Sequence, residues 1–197
     1  MSRGQLAIIF AGFLFCLLSV LYFSQTFYKI DGLRVPYRNN IPLYKEEAIR
    51  SELPARLKIP GLGIDVPVEH VGLTPEGTMG VPKGPTNVAW LNLGSRPGEV
   101  GSAVIAGHRG WKNNQEAVFD DLHKLRKGDD LYIETVAGRS IHFVVREIRV
   151  YDSDSYAPEV FSSSDGAHLN LVTCTGIWDI FKKSSTERLV VFSDILD

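Results

Sequence analysis

Three residues of the sequence carry side chains that could together perform acyl transfer. His108, Cys174 and Arg188 each stand next to an apolar run that is typical of a buried strand. A thiolate attacks a peptide carbonyl, an imidazole protonates the leaving amine, and a guanidinium stabilises the negative oxygen of the tetrahedral intermediate. Loops at strand ends hold functional side chains on a rigid scaffold. The three residues therefore predict a cysteine-dependent active site, with all of them at the ends of strands.

Each of the three residues also has a structural explanation. A cysteine on a strand is often a small buried hydrophobic side chain, a histidine there often has a structural partner, and an arginine is often a solvated charge. A zinc site is a further alternative, but the spacings match no usual zinc pattern and a four-ligand site with one cysteine is uncommon. The possible zinc ligands are Cys174, His108, His123, His142 and His168.

The elements that must position these residues are predicted to be short strands. Gly and Pro separate segments in which apolar and polar residues alternate or β-branched residues dominate. Ala137–Gly138–Arg139 is a hairpin signal, and the one good helical candidate lies around residues 117–125. This pattern predicts a mainly β fold, either a closed barrel or a sandwich. The predicted strands are Arg56–Ile59, Ile64–Val68, Ser102–Ala106, Asp130–Val136, Ser140–Val150, His168–Thr173 and Leu189–Phe192.

An apolar segment, Leu6–Phe23, precedes this domain. It has 18 residues and no charge, which is just enough for a membrane-spanning helix. A cleaved signal peptide is the alternative, but no small-x-small cleavage site follows the segment. We therefore predict an N-terminal signal-anchor over residues 1–28, a linker over residues 29–54 and a folded domain over residues 55–197.

The composition limits the class of protein. The chain has 197 residues, of which 44% are hydrophobic and 22% charged, and its net charge is -2. These values are typical of a folded protein with one core and argue against disorder. Binding to nucleic acid normally requires a basic face, so we do not expect it. Cys16 lies inside the apolar segment, so Cys174 has no expected disulfide partner.

In their local settings, the three residues resemble those of the sortase family. Ala106–Gly107–His108 looks like that family's histidine strand end, and Leu171–Val172–Thr173–Cys174 looks like its T-L-x-T-C signature, with valine in the tolerant position. Arg188, fourteen residues after the cysteine, matches the family's arginine. The similarity covers residues 56 to about 194, which is essentially the whole soluble domain.

The resemblance to particular sortase classes is mixed. The segments Arg56–Pro60, Pro97–Val104 and Leu125–Asp129 are most similar to class F sortases. The His108–Arg109 pair is more similar to classes D and E. We therefore expect a class F-like sortase with class D- and E-like features.

The resemblance implies a fold and a reaction. The fold would be a closed, eight-stranded sortase-type β-barrel with short helices. Cys174 would attack the Thr–Gly or Thr–Ala bond of an LPXTG-like sorting signal at the C-terminus of a secreted protein and form a thioacyl-enzyme. An amine of a cell-wall precursor or of a pilin lysine would then accept the acyl group. His108 would act as general acid and base, Arg188 would position the signal and support the oxyanion, and no cofactor would be required.

The resemblance also implies a location. Sortases use an N-terminal signal-anchor and act on the outer face of the membrane of a Gram-positive-type cell envelope, which agrees with Leu6–Phe23. The flanking charges alone would keep the domain in the cytoplasm, although long domains translocate largely regardless of such charges. One positive side chain, Arg3, precedes the segment, and those that follow it are Lys29, Arg34, Arg38 and Lys45.

Two other functions remain compatible with the sequence. The same three residues would serve a cysteine peptidase that only hydrolyses, and a membrane-tethered β-barrel binding module could contain a structural cysteine. The serine-rich stretch over residues 150–165 is either a wall of the substrate groove, as the resemblance implies, or a plain polar loop. Its acidic residues lack the central Gly and terminal Glu of an EF-hand, so a solvated loop is favoured over a calcium site. These residues are Asp152, Asp154, Glu159 and Asp165.

Overall fold

The computed structural model describes residues 52–181 and 184–196, which fold into short strands joined by turns. The predicted anchor, Leu6–Phe23, and most of the predicted linker lie outside the described residues. Within the described ranges, no helix has both the length and the apolar character needed to cross a membrane. The first strand begins at Pro54, one residue before the predicted start of the folded domain.

The strands close into a barrel. The order around the described barrel is β1-β2-β3-β4-β7-β8-β6-β5, and β5 pairs again with β1. A mainly β fold and a closed barrel of eight strands are therefore confirmed for this part of the chain. The strands are β1 (Pro54–Ile59), β2 (Ile64–Val71), β3 (Val88–Leu91), β4 (Gly101–Gly107), β5 (Asp130–Thr135), β6 (Ser140–Asp152), β7 (Ala167–Asp179) and β8 (Ser184–Ile195).

Helical structure is limited to single turns. The helix predicted around residues 117–125 is wrong, because only a 3-10 turn forms there, at Leu122–Lys124. The buried side chains of Leu122 and the neighbouring Phe119 pack in the barrel interior, and they do not form the apolar face of a longer helix. The other helical turns are 3-10 turns at Pro60–Leu62 and Lys112–Asn114 and a short α-helix, α1 (Pro158–Phe161).

Alternation along the strands separates two apolar clusters. The barrel interior contains the alternate residues Leu169, Leu171, Leu189 and Val191 together with buried residues of the other strands. A smaller cluster lies on the outer face, where Val160 of α1 packs on the barrel. Because side chains of a strand alternate between its two faces, residues between the interior positions point outwards. The buried members of the outer cluster are Leu91, Val104, Val160, Val190 and Phe192.

The pairing of β4 with β7 brings two strand ends together. These strands are parallel, with Ala106 beside Val172, so their carboxyl ends lie at the same end of the barrel. The hydroxyl of Thr173 donates a 2.8 Å hydrogen bond to the carbonyl oxygen of Gly107 and continues this register by one residue. His108 follows Gly107 directly after the end of β4, and Cys174 follows Thr173 within β7. The topology therefore places two of the predicted site residues at the same end of the barrel.

Candidate active site

Cys174 and Arg188 are direct cross-strand partners in the antiparallel pair of β7 and β8. The preceding pair, Thr173 and Leu189, is buried and points into the barrel. Since opposed residues of an antiparallel pair share a face and consecutive residues alternate, the thiol and the guanidinium both lie on the outer face. Cys174 is a free, half-buried cysteine.

Both residues lie within strands, which differs from the prediction that they stand at strand ends. β7 continues from Cys174 to Asp179, and β8 begins at Ser184, before Arg188. The two strands form a long hairpin whose pairing shifts between Thr175 and Trp178. Only His108 directly follows the end of its strand, as predicted.

His108 is fixed by contacts on three sides. Its Nε2 lies 2.9 Å from the carbonyl oxygen of Pro82, which can only accept, so Nε2 donates this hydrogen bond. The imidazole also packs against the ring of Trp111 at a centroid distance of 4.7 Å. The backbone N–H of Phe119 donates to the His108 carbonyl oxygen at 2.9 Å. In this arrangement Nδ1 is the ring nitrogen left to exchange a proton.

Gly107 makes the approach of Phe119 possible. A Cβ atom on this glycine would lie 2.3 Å from Cδ2 of Phe119, which is fully buried in the barrel interior. No side chain fits at that distance, so the glycine before the histidine has a packing reason. The strand end and the ring beneath it together set the position of His108.

The guanidinium of Arg188 is held by its own strand. Nη1 donates to the carbonyl oxygens of Ser185 and Glu187, both at 2.9 Å, and Nη2 donates to Oγ of Ser184 at 2.8 Å. On its other side Arg188 is paired with Tyr151 of β6. The planar fork is thus oriented by backbone and hydroxyl acceptors that lie beside Cys174, and it contacts no carboxylate among the described residues.

A second guanidinium lies close to the cysteine. Nη1 of Arg109 donates a 2.8 Å hydrogen bond to Oγ1 of Thr175, the residue that follows Cys174. This contact joins residues 66 positions apart in the chain and was not predicted. The only available signal was the similarity of the His108–Arg109 pair to classes D and E. His108, Cys174, Arg188 and Arg109 can together supply a nucleophile, a proton carrier and two cations.

The family comparison agrees with this arrangement. The family model for the sortase domain matches residues 57–195, most of the chain. The chain belongs to the sortase family. Members of this family are cysteine transpeptidases. The three predicted residues have side chains that suit this reaction. A search of the curated proteins finds no match to this chain.

Solved sortase structures share the barrel. One is a lid mutant of sortase A from Corynebacterium diphtheriae, which is 23% identical to this chain and has a TM-score of 0.58. The matched region covers 74% of this chain and 70% of that sortase. Sortase C from Clostridium perfringens is 25% identical with a TM-score of 0.55, covering 74% and 70%. The pilus-related sortase C of Group B Streptococcus is 25% identical with a TM-score of 0.57, covering 82% and 78%. These relatives belong to classes A and C by name, so class F-like character stays a prediction.

The histidines of the alternative zinc site are separated in this sortase. Nδ1 of His123 donates to the carbonyl oxygen of Asp120 at 3.1 Å, and His142 stacks on Tyr132 on the outside of the barrel. His168 lies between two carboxylates described below. Within the described ranges, no group of three or more His, Cys, Asp or Glu side chains is arranged to hold a metal ion.

The acidic segment after β6 is engaged with neighbouring side chains. Glu159 accepts a hydrogen bond from the Tyr151 hydroxyl at 2.9 Å, and Asp165 accepts hydrogen bonds from Ser163 and from Nε2 of His168. Hydrogen bonds from the Ser163 hydroxyl, which has the largest effect, and from His168 lower the pKa of Asp165 from 3.8 to about 2. Nδ1 of His168 lies 2.8 Å from a carboxylate oxygen of Asp194. These contacts tie the connection between β6 and β7 to the barrel.

A cavity of about 170 Å³ lies behind α1, on the same outer face. Two of its lining residues, Ser102 and Asn170, each have a buried polar atom without a hydrogen-bond partner among the described residues, Oγ and Oδ1 respectively. Asn170 precedes Cys174 by four residues on β7, and its Nδ2 donates to the carbonyl oxygen of Val160 at 2.7 Å. None of the three predicted catalytic residues lines this cavity, so it is separate from the thiol.

Proposed function

We propose that this sortase cleaves an LPXTG-like sorting signal through Cys174 and transfers the acyl group to an amine of the cell envelope or of a pilin subunit. The observation that carries the proposal is the pairing of Cys174 with Arg188, with His108 directly after the end of the neighbouring strand β4. In this proposal the thiol is the nucleophile, the imidazole carries the proton and the guanidinium is the directed cation.

The first half of the reaction forms the thioacyl-enzyme. The Cys174 thiolate attacks the threonine carbonyl carbon, and the carbonyl oxygen becomes negative in the tetrahedral intermediate. The guanidinium of Arg188 stabilises that oxygen. When the carbon–nitrogen bond breaks, protonated His108 gives its proton to the leaving amine. The C-terminal part of the signal departs, and the acyl group remains on sulfur.

The second half transfers the acyl group. An incoming amine attacks the thioester carbon, and neutral His108 accepts the proton that the nitrogen loses. Collapse of the second tetrahedral intermediate breaks the carbon–sulfur bond and restores the thiolate. Because His108 alternates between donor and acceptor, its hydrogen bond from Nε2 to the Pro82 carbonyl keeps the ring oriented in both states.

The connection between β6 and β7 supplies a wall for the signal. Val160 of α1 packs on Val104, Val190 and Phe192, so the connection covers the outer face next to Cys174. The half-buried Val172 also joins this cluster, two residues before the cysteine on the same face. Apolar side chains at that point fit the leucine and proline of an LPXTG-like signal. This favours the groove interpretation of the serine-rich stretch over a plain loop.

We also infer that the domain works on the extracellular face of the cell membrane, held there by the predicted anchor Leu6–Phe23. A sorting signal reaches that face as its protein is exported, and amine-bearing wall precursors or pilins are found there. Cys174 is a free cysteine and must stay free to react, which is compatible with this location.

The deciding experiment is product analysis with the full chain in vesicles. Quenched peptides with varied signal residues are incubated with and without a candidate amine, and the products are identified by mass spectrometry. We expect an adduct of the new acyl end with the amine and a thioester of the peptide on Cys174. A hydrolysed product at the same rate with and without amine would make the enzyme a peptidase, and no product from any peptide would overturn the proposal.

A further inference from the structure

The tip of the β7–β8 hairpin is an exposed apolar surface next to the active site. Ile177, Trp178, Ile180 and Phe181 are between 59% and 91% exposed, although each is a large apolar side chain. They lie within five consecutive residues, three residues after Cys174. Exposed clusters of this kind mark a surface that contacts another molecule or a membrane. We call these four residues the hairpin tip.

The backbone of the hairpin tip is ordered by its own hydrogen bonds. The Asp179 carboxylate accepts the N–H of Phe181 at 2.8 Å, and the N–H of Ile177 donates to Oγ1 of Thr186 at 3.0 Å. Gly176 has a φ of 76°, and a Cβ there would lie 2.5 Å from the same hydroxyl. These contacts fix the backbone of Ile177 and of Phe181, whose apolar side chains are exposed to solvent.

We propose that the hairpin tip inserts into the interfacial region of the lipid bilayer and holds the active site at the membrane surface. Ile177 and Trp178 lie near the end of β7, and Ile180 and Phe181 follow that end in the turn, so the exposed apolar surface continues from the strand onto the turn. A fluid apolar phase can surround such a tip, whereas a protein surface covers one side. Trp and Phe beside aliphatic residues are also typical of interfacial segments.

The predicted tether permits this contact. About 30 residues separate Phe23 from Pro54, and they span at most about 100 Å when extended. β1 begins beside the end of β5, and β6 starts at that same end and runs towards Arg188. Pro54 therefore lies at the end of the barrel opposite the hairpin tip. The length of β7 is about 40 Å, so the tether is long enough. Lys182 and Lys183 follow in the sequence, and cations favour anionic lipid surfaces.

This inference rests on the proposed membrane location and adds an orientation to it. A sorting signal continues towards a membrane at its C-terminal end, and a lipid-linked amine acceptor is confined to the bilayer surface. Docking through the hairpin tip would hold Cys174 within reach of both. A tether alone would leave the active site free to face away from the membrane.

Tryptophan quenching by brominated lipids tests the contact directly. The full chain is reconstituted into phosphatidylglycerol–phosphatidylcholine vesicles whose acyl chains are brominated or unmodified. Trp90 is buried and Trp111 packs on His108, so Trp178 is the tryptophan placed to meet lipid. We expect about twofold more quenching in the wild type than in Trp178→Phe. Equal quenching of the two proteins would overturn the inference.

Activity in two assays separates the hairpin tip from catalysis. The double variant Ile177→Ser/Phe181→Ser should turn over a soluble peptide with a soluble amine at the wild-type rate. With a lipid-linked amine in vesicles, we expect its rate to fall about tenfold, since docking raises the local concentration of the acceptor. The matched control is Val136→Ser, which changes an exposed apolar residue at the opposite end of the barrel and should be silent in both assays.

The other outcomes have distinct meanings. An equal loss with soluble substrates would make the tip a binding surface for the sorting signal, and concentration-dependent cross-linking without quenching would make it a contact with a second copy. Either result would overturn membrane docking and leave the proposed reaction intact. A wild-type enzyme that quenches as expected and turns over no peptide would instead overturn the proposed function alone.

Discussion

The hydroxyl of Thr173 donates a hydrogen bond to the carbonyl oxygen of Gly107 across the parallel pair of β7 and β4, at 2.8 Å and inside the barrel. Cys174 follows Thr173 in the chain, and His108 follows Gly107. The bond therefore links the backbone that carries the thiol to the backbone that carries the imidazole. It joins two chain positions 66 residues apart.

Thr173→Val should weaken this link while keeping the shape of the side chain. The buried carbonyl would lose a donor, so we expect the free energy of unfolding to fall by about 1 kcal/mol. We also expect a loss of about tenfold in kcat/KM, because catalysis is sensitive to small errors in the placement of reacting groups. Thr173→Ser keeps the hydroxyl and should recover most of the activity. If Thr173→Val turns over peptide at the wild-type rate, the bond does not position the site.

Cys174→Ala should abolish peptide turnover and leave the barrel intact. The thiol is half-buried on the outer face, so its removal leaves no cavity in the interior cluster. Activity is measured with a quenched peptide and stability by thermal unfolding. Cys16→Ala is the control, since that residue lies in the predicted anchor. Turnover near the wild-type level in Cys174→Ala would rule out the proposed nucleophile.

Alkylation supplies an independent test of the same residue. A buried structural cysteine would react slowly with a small alkylating agent, whereas a catalytic nucleophile is accessible and reactive. We expect Cys174 to react faster than a free thiol at the same pH. Slow labelling of the folded protein would favour the non-catalytic binding module that the sequence alone left open.

His108→Ala should lower kcat/KM by about 10²–10⁴-fold, the usual contribution of a general acid and base. His123→Ala and His142→Ala should change it little, because His123 bonds the backbone of a turn and His142 stacks on Tyr132. Kinetics of the three variants on one peptide, with thermal unfolding alongside, distinguish these expectations. Equal losses in all three would indicate a folding or metal-binding role for the histidines.

The sequence predicted the strand patterns well where they alternate, and less well where distant partners define a strand. β3 was not predicted, because Val88–Leu91 is a short, wholly buried run without alternation that gains its partners from β2 and β4. β7 and β8 are longer than the strands predicted there. Gly176 and the serines from Ser184 look like loop residues, but cross-strand pairing keeps them extended.

The candidate site was predicted from residue types and a family resemblance, and its geometry comes from the topology. Local patterns marked His108, Cys174 and Arg188, yet nothing in their spacing revealed that Cys174 lies opposite Arg188. The contact between Arg109 and Thr175 was likewise invisible, because it depends on the parallel pairing of β4 with β7. Sequence patterns report local conformation, whereas sites are assembled by non-local pairing.

Arg188→Lys tests whether the guanidinium acts through the direction of its hydrogen bonds as well as through its positive charge. Lysine keeps the positive charge but lacks the planar fork that Arg188 directs at Ser184, Ser185 and Glu187. We expect kcat/KM to fall about a hundredfold, comparable to the removal of one oxyanion donor, and Arg188→Ala to be worse. Peptide kinetics and thermal unfolding are measured on both variants.

The matched control for this substitution is Arg56→Lys. Arg56 also uses its fork for neighbouring acceptors, donating to the side chain and carbonyl of Asp65 at 2.8 and 2.9 Å, but it lies on β1, away from the thiol. Its partner is exposed, so the pair contributes little to stability and the variant should keep full activity. A wild-type rate in Arg188→Lys would leave the oxyanion role without support. A kinetic defect that tracks lost thermal stability would instead make Arg188 a structural residue, because its three hydrogen bonds also hold the start of β8.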